Sequence, residues 1–124
     1  MQQRSGSQAY AQTVKLGGAP RETEARALTE AASRLFRARA KPEDLKELNG
    51  ALVFNLRLWN ILIADMIEPD NPLPPEIKTN LYNLFLFVDK RTIEILNTRK
   101  VEQVDALISI NREIARGLTA QTGV

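Results

Sequence analysis

The sequence predicts an all-α fold, a small bundle of about four helices built around a long central αα-hairpin. Two observations carry this. Apolar residues recur at three- and four-residue steps through four segments, and no stretch alternates with the period of two that a half-buried strand requires. Proline and polar breaks near residues 41, 70 and 99 separate the segments by short connections, which favour antiparallel neighbours.

Residues 1–19 are rich in Gln, Ser, Gly and Thr, with scattered Tyr10, Val14 and Leu16, and run into Gly17-Gly18. They read as a mobile arm with a short helical segment around Tyr10–Leu16. Residues 20–124 read as a single helical domain.

Pro20 suits a first helical position, where its missing N–H has no partner to lose. Ala25, Leu28, Ala32, Leu35 and Phe36 then form a helical stripe as far as Ala40. Its side chains are mostly small, which predicts close packing against a larger core.

Lys41-Pro42 ends that helix and opens the next, with Glu43 and Asp44 where the helix dipole welcomes negative charge. Leu45, Leu48, Leu52, Leu56, Trp59, Leu62 or Ile63, and Met66 carry the pattern to about Glu68. Gly50 inside it costs about 1 kcal/mol relative to alanine and suggests a close helix contact or a bend. Pro69-Asp70-Asn71-Pro72 makes a stiff turn.

Pro74-Pro75 starts the third helix, with Ile77, Leu81, Leu84, Phe85, Val88 and Thr92 along one face and Ile95 or Leu96 at its end. The fourth runs from Val101 to about Gly117, with Val104, Leu107, Ile108, Ile114 and Leu118 at helical spacing and Gly117 near the C-terminal cap. At about 22 to 27 residues each, the middle two helices form a hairpin of roughly 35 Å, flanked by the first and fourth.

Composition excludes much chemistry. The 124 residues contain no cysteine and no histidine. Disulfides, zinc fingers, thiol nucleophiles and His-based acid–base catalysis are therefore ruled out. No glycine-rich phosphate loop is present. Asp65, Glu68 and Asp70 could hold a cation, but they lack calcium-loop spacing and read as a helix end with a capping turn. The expectation is a protein that is no enzyme and carries no metal or cofactor. The apolar runs Ile61–Ala64 and Leu84–Val88 fall far below the ~20 residues that span a bilayer. No secretory signal opens the chain. A cytoplasmic protein is expected.

Two features bear on partners. Arg34, Arg37, Arg39 and Lys41 follow one another with no acid between Ser33 and Pro42. They could contact RNA phosphates. A cation-rich helix C-terminus is the favoured account of them, and no aromatic stacking platform accompanies them, so the residues argue against nucleic acid. The second feature is an apolar excess. Val53, Phe54, Leu58 and Ile61 lie off the core stripe of the second helix, and Leu84–Val88 is apolar around nearly the whole turn. A helix apolar all round must be buried all round, by flanking helices or by a partner. Asn55, Asn60, Asn80 and Asn83 suggest paired amides, either between helices two and three or toward a bound helix.

The segments Asn55-Leu56-Arg57-Leu58-Trp59-Asn60-Ile61-Leu62-Ile63-Ala64-Asp65, Asn71-Pro72-Leu73-Pro74-Pro75-Glu76-Ile77-Lys78 and Phe87-Val88 resemble the FlaF family of flagellar biosynthesis regulators. Ala9-Tyr10-Ala11 and Pro20-Arg21-Glu22 resemble that family's arm and first helix start. Phe85-Leu86-Phe87 departs from it, since many members carry a small residue and Trp there. The resemblance implies a protein that promotes flagellin synthesis or secretion, by binding flagellin as a chaperone or by opposing the translational repressor FlbT. Phe54, Leu58, Trp59, Leu62, Phe85 and Phe87 are the apolar contact candidates, with Asn55 and Asp65 giving polar register. Core packing is the other role for Trp59. An RNA-associated regulator using Arg34, Arg37, Arg39 and Lys41 is the alternative, and a homodimer interface is the third reading of the apolar excess.

Overall fold

Pro20–Arg39 forms α1, Leu45–Met66 α2, Pro75–Thr98 α3 and Val104–Thr122 α4, in a computed structural model that describes residues 20–122. The arm expected over residues 1–19 lies outside the described residues. One turn of 3-10 helix, Val101–Gln103, leads into α4. These are the four helices the periodicity predicts, with no strand among the described residues.

Local chemistry sets the boundaries. Asp44 caps α2, its carboxylate accepting from the Glu47 N–H at 3.0 Å, so α2 begins just after the Lys41-Pro42 break. Pro75 occupies the first turn of α3. The end of α3 is an αL residue, Arg99 at φ 62°, whose N–H donates to the Ile95 carbonyl at 2.8 Å. The fourth helix differs from expectation at both ends. It begins as a 3-10 turn and continues through Gly117 to Thr122. Leu118 extends the stripe one turn beyond Ile114 and packs against the core. Packing thereby outweighs a propensity cost of about 1 kcal/mol at the glycine. Gly50 is also plain helix interior: it is exposed, and a Cβ there would meet nothing within 4 Å.

α1 and α2 run antiparallel across their short turn, with the Arg34 guanidinium 4.0 Å from the centre of the Phe54 ring and Lys41 3.5 Å from Glu47. α1 and α4 are antiparallel as well: Arg39 at the end of α1 pairs with Asp105 at the start of α4, and Asn111 reaches the Leu28 carbonyl. The most extensive helix contact is α1 on α4, followed by α1 on α2. The alanine-rich first helix is thus central to the packing. Ala25, Ala31, Ala32 and Ala38 are buried with Leu28 and Leu35, because small side chains let neighbouring backbones approach. Phe36, placed on the stripe by spacing, is 56% exposed instead. α3 is the least covered helix. Only Val88, Thr92 and Ile95 are buried along it, all in its C-terminal half.

Candidate functional site

The residues singled out by sequence divide by what surrounds them. Asn55 and Trp59 lie in the core, at 0% and 1% exposure, and are not surface contacts. The indole Nε1 of Trp59 donates to Asn111 Oδ1 at 2.9 Å, and Asn111 Nδ2 donates to Asn55 Oδ1 at 2.6 Å. Tryptophan can only donate, so the direction of this chain is fixed from the indole outward. It ends at Asn55 Nδ2, a buried donor without a partner. The network joins α2 to α4 and, through the Leu28 carbonyl, to α1. The amide pairing expected between the second and third helices is therefore between the second and fourth. Asn111 was the residue sequence reasoning missed, although its place in the apolar stripe of α4, between Leu107 and Ile114, is the signal for it. Of the other asparagines, Asn60 donates to the Leu56 carbonyl of its own helix at 2.9 Å, and Asn80 and Asn83 are exposed.

Asp65 serves the α2–α3 turn. Asn71 Nδ2 lies 3.3 Å from both the Asp65 carbonyl and its Oδ2, while Asn71 Oδ1 accepts from the Leu73 N–H at 3.0 Å. Partial burial pushes the Asp65 carboxyl above the ordinary aspartate value, against the lowering effect of the Asn71 hydrogen bond. The carboxylate is thus engaged by its own turn. Among the described residues no group of three acidic side chains is arranged to hold a metal ion.

The cations of the RNA reading are each matched by an acid. Arg34 and Arg37 reach Glu30 at 3.0 and 3.9 Å, Lys41 reaches Glu47, and Arg39 pairs with Asp105, which raises the Arg39 pKa above its ordinary value. The run lacks acids locally, but the turn before it and the neighbouring helices supply them. All four cations stay 40–58% exposed in these pairs, which as surface ion pairs are individually weak.

Phe54 and Phe87 are half-buried, each beneath a guanidinium: Arg34 at 4.0 Å and Arg91 at 4.8 Å from the ring centres. Leu58, Leu62 and Phe85 are half-buried against the core. The large apolar side chains that remain in water are others. On α3, Tyr82, Leu86 and Ile93 are 44%, 47% and 50% exposed. They stand at i, i+4 and i+11, about 130° around the helix from the buried Val88, Thr92 and Ile95. This makes an outward stripe about 17 Å long at ~1.5 Å per residue. Phe85 flanks it, its ring 6.2 Å from that of Tyr82. On the α2 side Val53, Ile61 and Ile67 are exposed too. Of the apolar excess read from the sequence, Val53, Ile61 and Leu86 are surface, Phe54, Leu58, Leu84, Phe85 and Phe87 are half-buried, and Val88 is core.

Over residues 6–118 the chain matches the family model of the flagellar protein FlaF. It belongs to the FlaF family. No curated protein and no solved structure matches the chain. This FlaF family member is a flagellar-related protein, and among its described residues no helix is long and apolar enough to cross a membrane.

Proposed function

We propose that this FlaF family protein binds flagellin in the cytoplasm as a dedicated chaperone, and so promotes flagellin synthesis or secretion by binding and not by chemistry. The observation that supports this is the outward stripe of Tyr82, Leu86 and Ile93 on α3. Flagellin termini are amphipathic helices, and such a helix recognises a partner through apolar side chains at i, i+3, i+4 and i+7. A stripe on a helix offers the matching surface.

Magnitudes set the extent of the contact. Finishing the burial of a half-exposed large apolar side chain yields about 1–2 kcal/mol. Three of them supply about 3–6 kcal/mol, only the low end of an association cost of about 4–15 kcal/mol. The contact must extend beyond the stripe, to Phe85 beside it and the exposed Ile77 at the start of α3. A single long helix laid along α3 satisfies that requirement.

Leu86→Ser together with Ile93→Ser tests the reading by isothermal titration with monomeric flagellin. Both positions are half in water, so the melting temperature stays near that of the parent while affinity falls at least about tenfold, or about 1.4 kcal/mol. Absence of a complex with the parent protein at tens of micromolar, or undiminished binding by the double variant, overturns it. Sedimentation of the protein alone distinguishes the homodimer: mass rising with concentration in the parent and not in the variant assigns the stripe to a second copy.

A further inference from the structure

A second surface lies on the face formed by α1 and α4. Between these helices runs an open groove of about 770 Å³ whose floor includes Ala25 and Ala115, both buried and both small. Three guanidiniums line it, from Arg26 on α1 and from Arg112 and Arg116 on α4. Arg26 has no ion-pair partner among the described residues, and Arg112 lies only over the exposed Phe36 ring, at 5.7 Å. Arg116 reaches Glu113 of its own helix, an exposed pair of little strength.

We infer that this groove docks a helix of a partner protein carrying acidic side chains. Arg112 and Arg116 are one helical turn apart, so carboxylates at i and i+4 of the incoming helix meet both, and guanidinium groups bind carboxylates through paired hydrogen bonds. The alanine floor allows the close approach that helix-on-helix packing needs. Phe36 offers an apolar contact beside Arg112.

The acids of the groove select a protein over a nucleic acid. Glu22 and Glu30 also line it. Glu30 is held by Arg34 and Arg37, whereas Glu22 stands in the first turn of α1. A strand with a phosphate at every step would be forced against these carboxylates. A peptide places its acids opposite the arginines and neutral or basic residues opposite Glu22.

The test uses the full chain and a labelled alanine-rich helical peptide with glutamate at every fourth position, followed by fluorescence anisotropy. The expected result is binding that weakens at least about tenfold as salt rises from about 50 to about 300 mM. Arg26→Gln with Arg112→Gln weakens peptide binding by a similar factor, with melting temperature and flagellin binding unchanged. The lysine-for-glutamate peptide does not bind. No binding of the acidic peptide, equal binding of the lysine peptide, tighter binding of an oligouridine, or loss of flagellin binding in the double variant overturns the assignment. Since flagellin binding is read separately, failure here leaves the α3 reading standing, and failure there leaves this one standing.

Discussion

α1 and α3 are helices of similar length that distribute their apolar residues in opposite ways. α1 has 20 residues, most of its apolar content is alanine, and six of its side chains are buried: Ala25, Leu28, Ala31, Ala32, Leu35 and Ala38. α3 has 24 residues, including Leu81, Leu84, Phe85, Leu86, Phe87 and Val88, yet buries only Val88, Thr92 and Ile95. The helix with less apolar bulk is the better buried. Alanines that agree on a face let α4 and α2 close upon it. The large side chains of α3 point in several directions, and the helices of one small chain cannot cover them all. Burial therefore follows the agreement of positions around the helix more than the total of hydrophobicity.

The largest effect expected on this contrast comes from Leu35→Ala. Truncation of a side chain with 0% exposure costs about 2–5 kcal/mol, while Leu86→Ala on the half-exposed stripe of α3 costs about 1 kcal/mol, both read by urea unfolding. Equal losses would erase the distinction between the two helices. Next is Asn111→Ala, which strands the Trp59 indole N–H and the Asn55 carbonyl oxygen in the core. Two unsatisfied groups, at about 1–3 kcal/mol each, destabilise by about 2–6 kcal/mol in the same measurement. Gly50→Ala acts in the other direction. With nothing within 4 Å of the added Cβ, it raises stability by about 1 kcal/mol. A loss at Gly50 would show that α2 needs the glycine for its path.

The smallest effect concerns pH. The Asp65 carboxyl is raised in the folded state, so the native chain takes up its proton before the unfolded chain does. As pH falls through the raised value toward the ordinary one, that uptake favours folding. Asp65→Asn keeps an oxygen for Asn71 and removes the titration. The parent protein should therefore gain melting temperature relative to the variant as pH drops from about 6 to about 4. A constant difference across that range would mean the carboxyl is not perturbed by burial.

Much of this was legible in the sequence because helices announce themselves locally. Period and proline punctuation placed four helices, and the stripe through Leu48, Leu52, Trp59, Ile63 and Met66 is the buried face of α2. A stripe says which side of a helix is buried but not which helix buries it. That is why the spacing of Asn55 does not reveal Asn111 as its partner, and why the sequence around Arg39 does not reveal Asp105, 66 residues away. The burial of Trp59 has a related reason. Trp59 is the largest apolar residue of the motif, and size suggested an anchor, but its position on the core face decided its fate. The exposed residues Ile61 and Leu86 follow from subtraction: they are what the core stripe leaves over.

The chain has one tryptophan, and its indole is held among α1, α2 and α4 by Asn111. An indole in that position emits light according to the dryness and order of the core, and it is remote in kind from anything that happens on the outer face of α3. The protein thus carries an intrinsic optical gauge of its own folding, set apart from the outer face of α3. Tyr82, half in water on the outward stripe, is the chromophore that an arriving partner would cover.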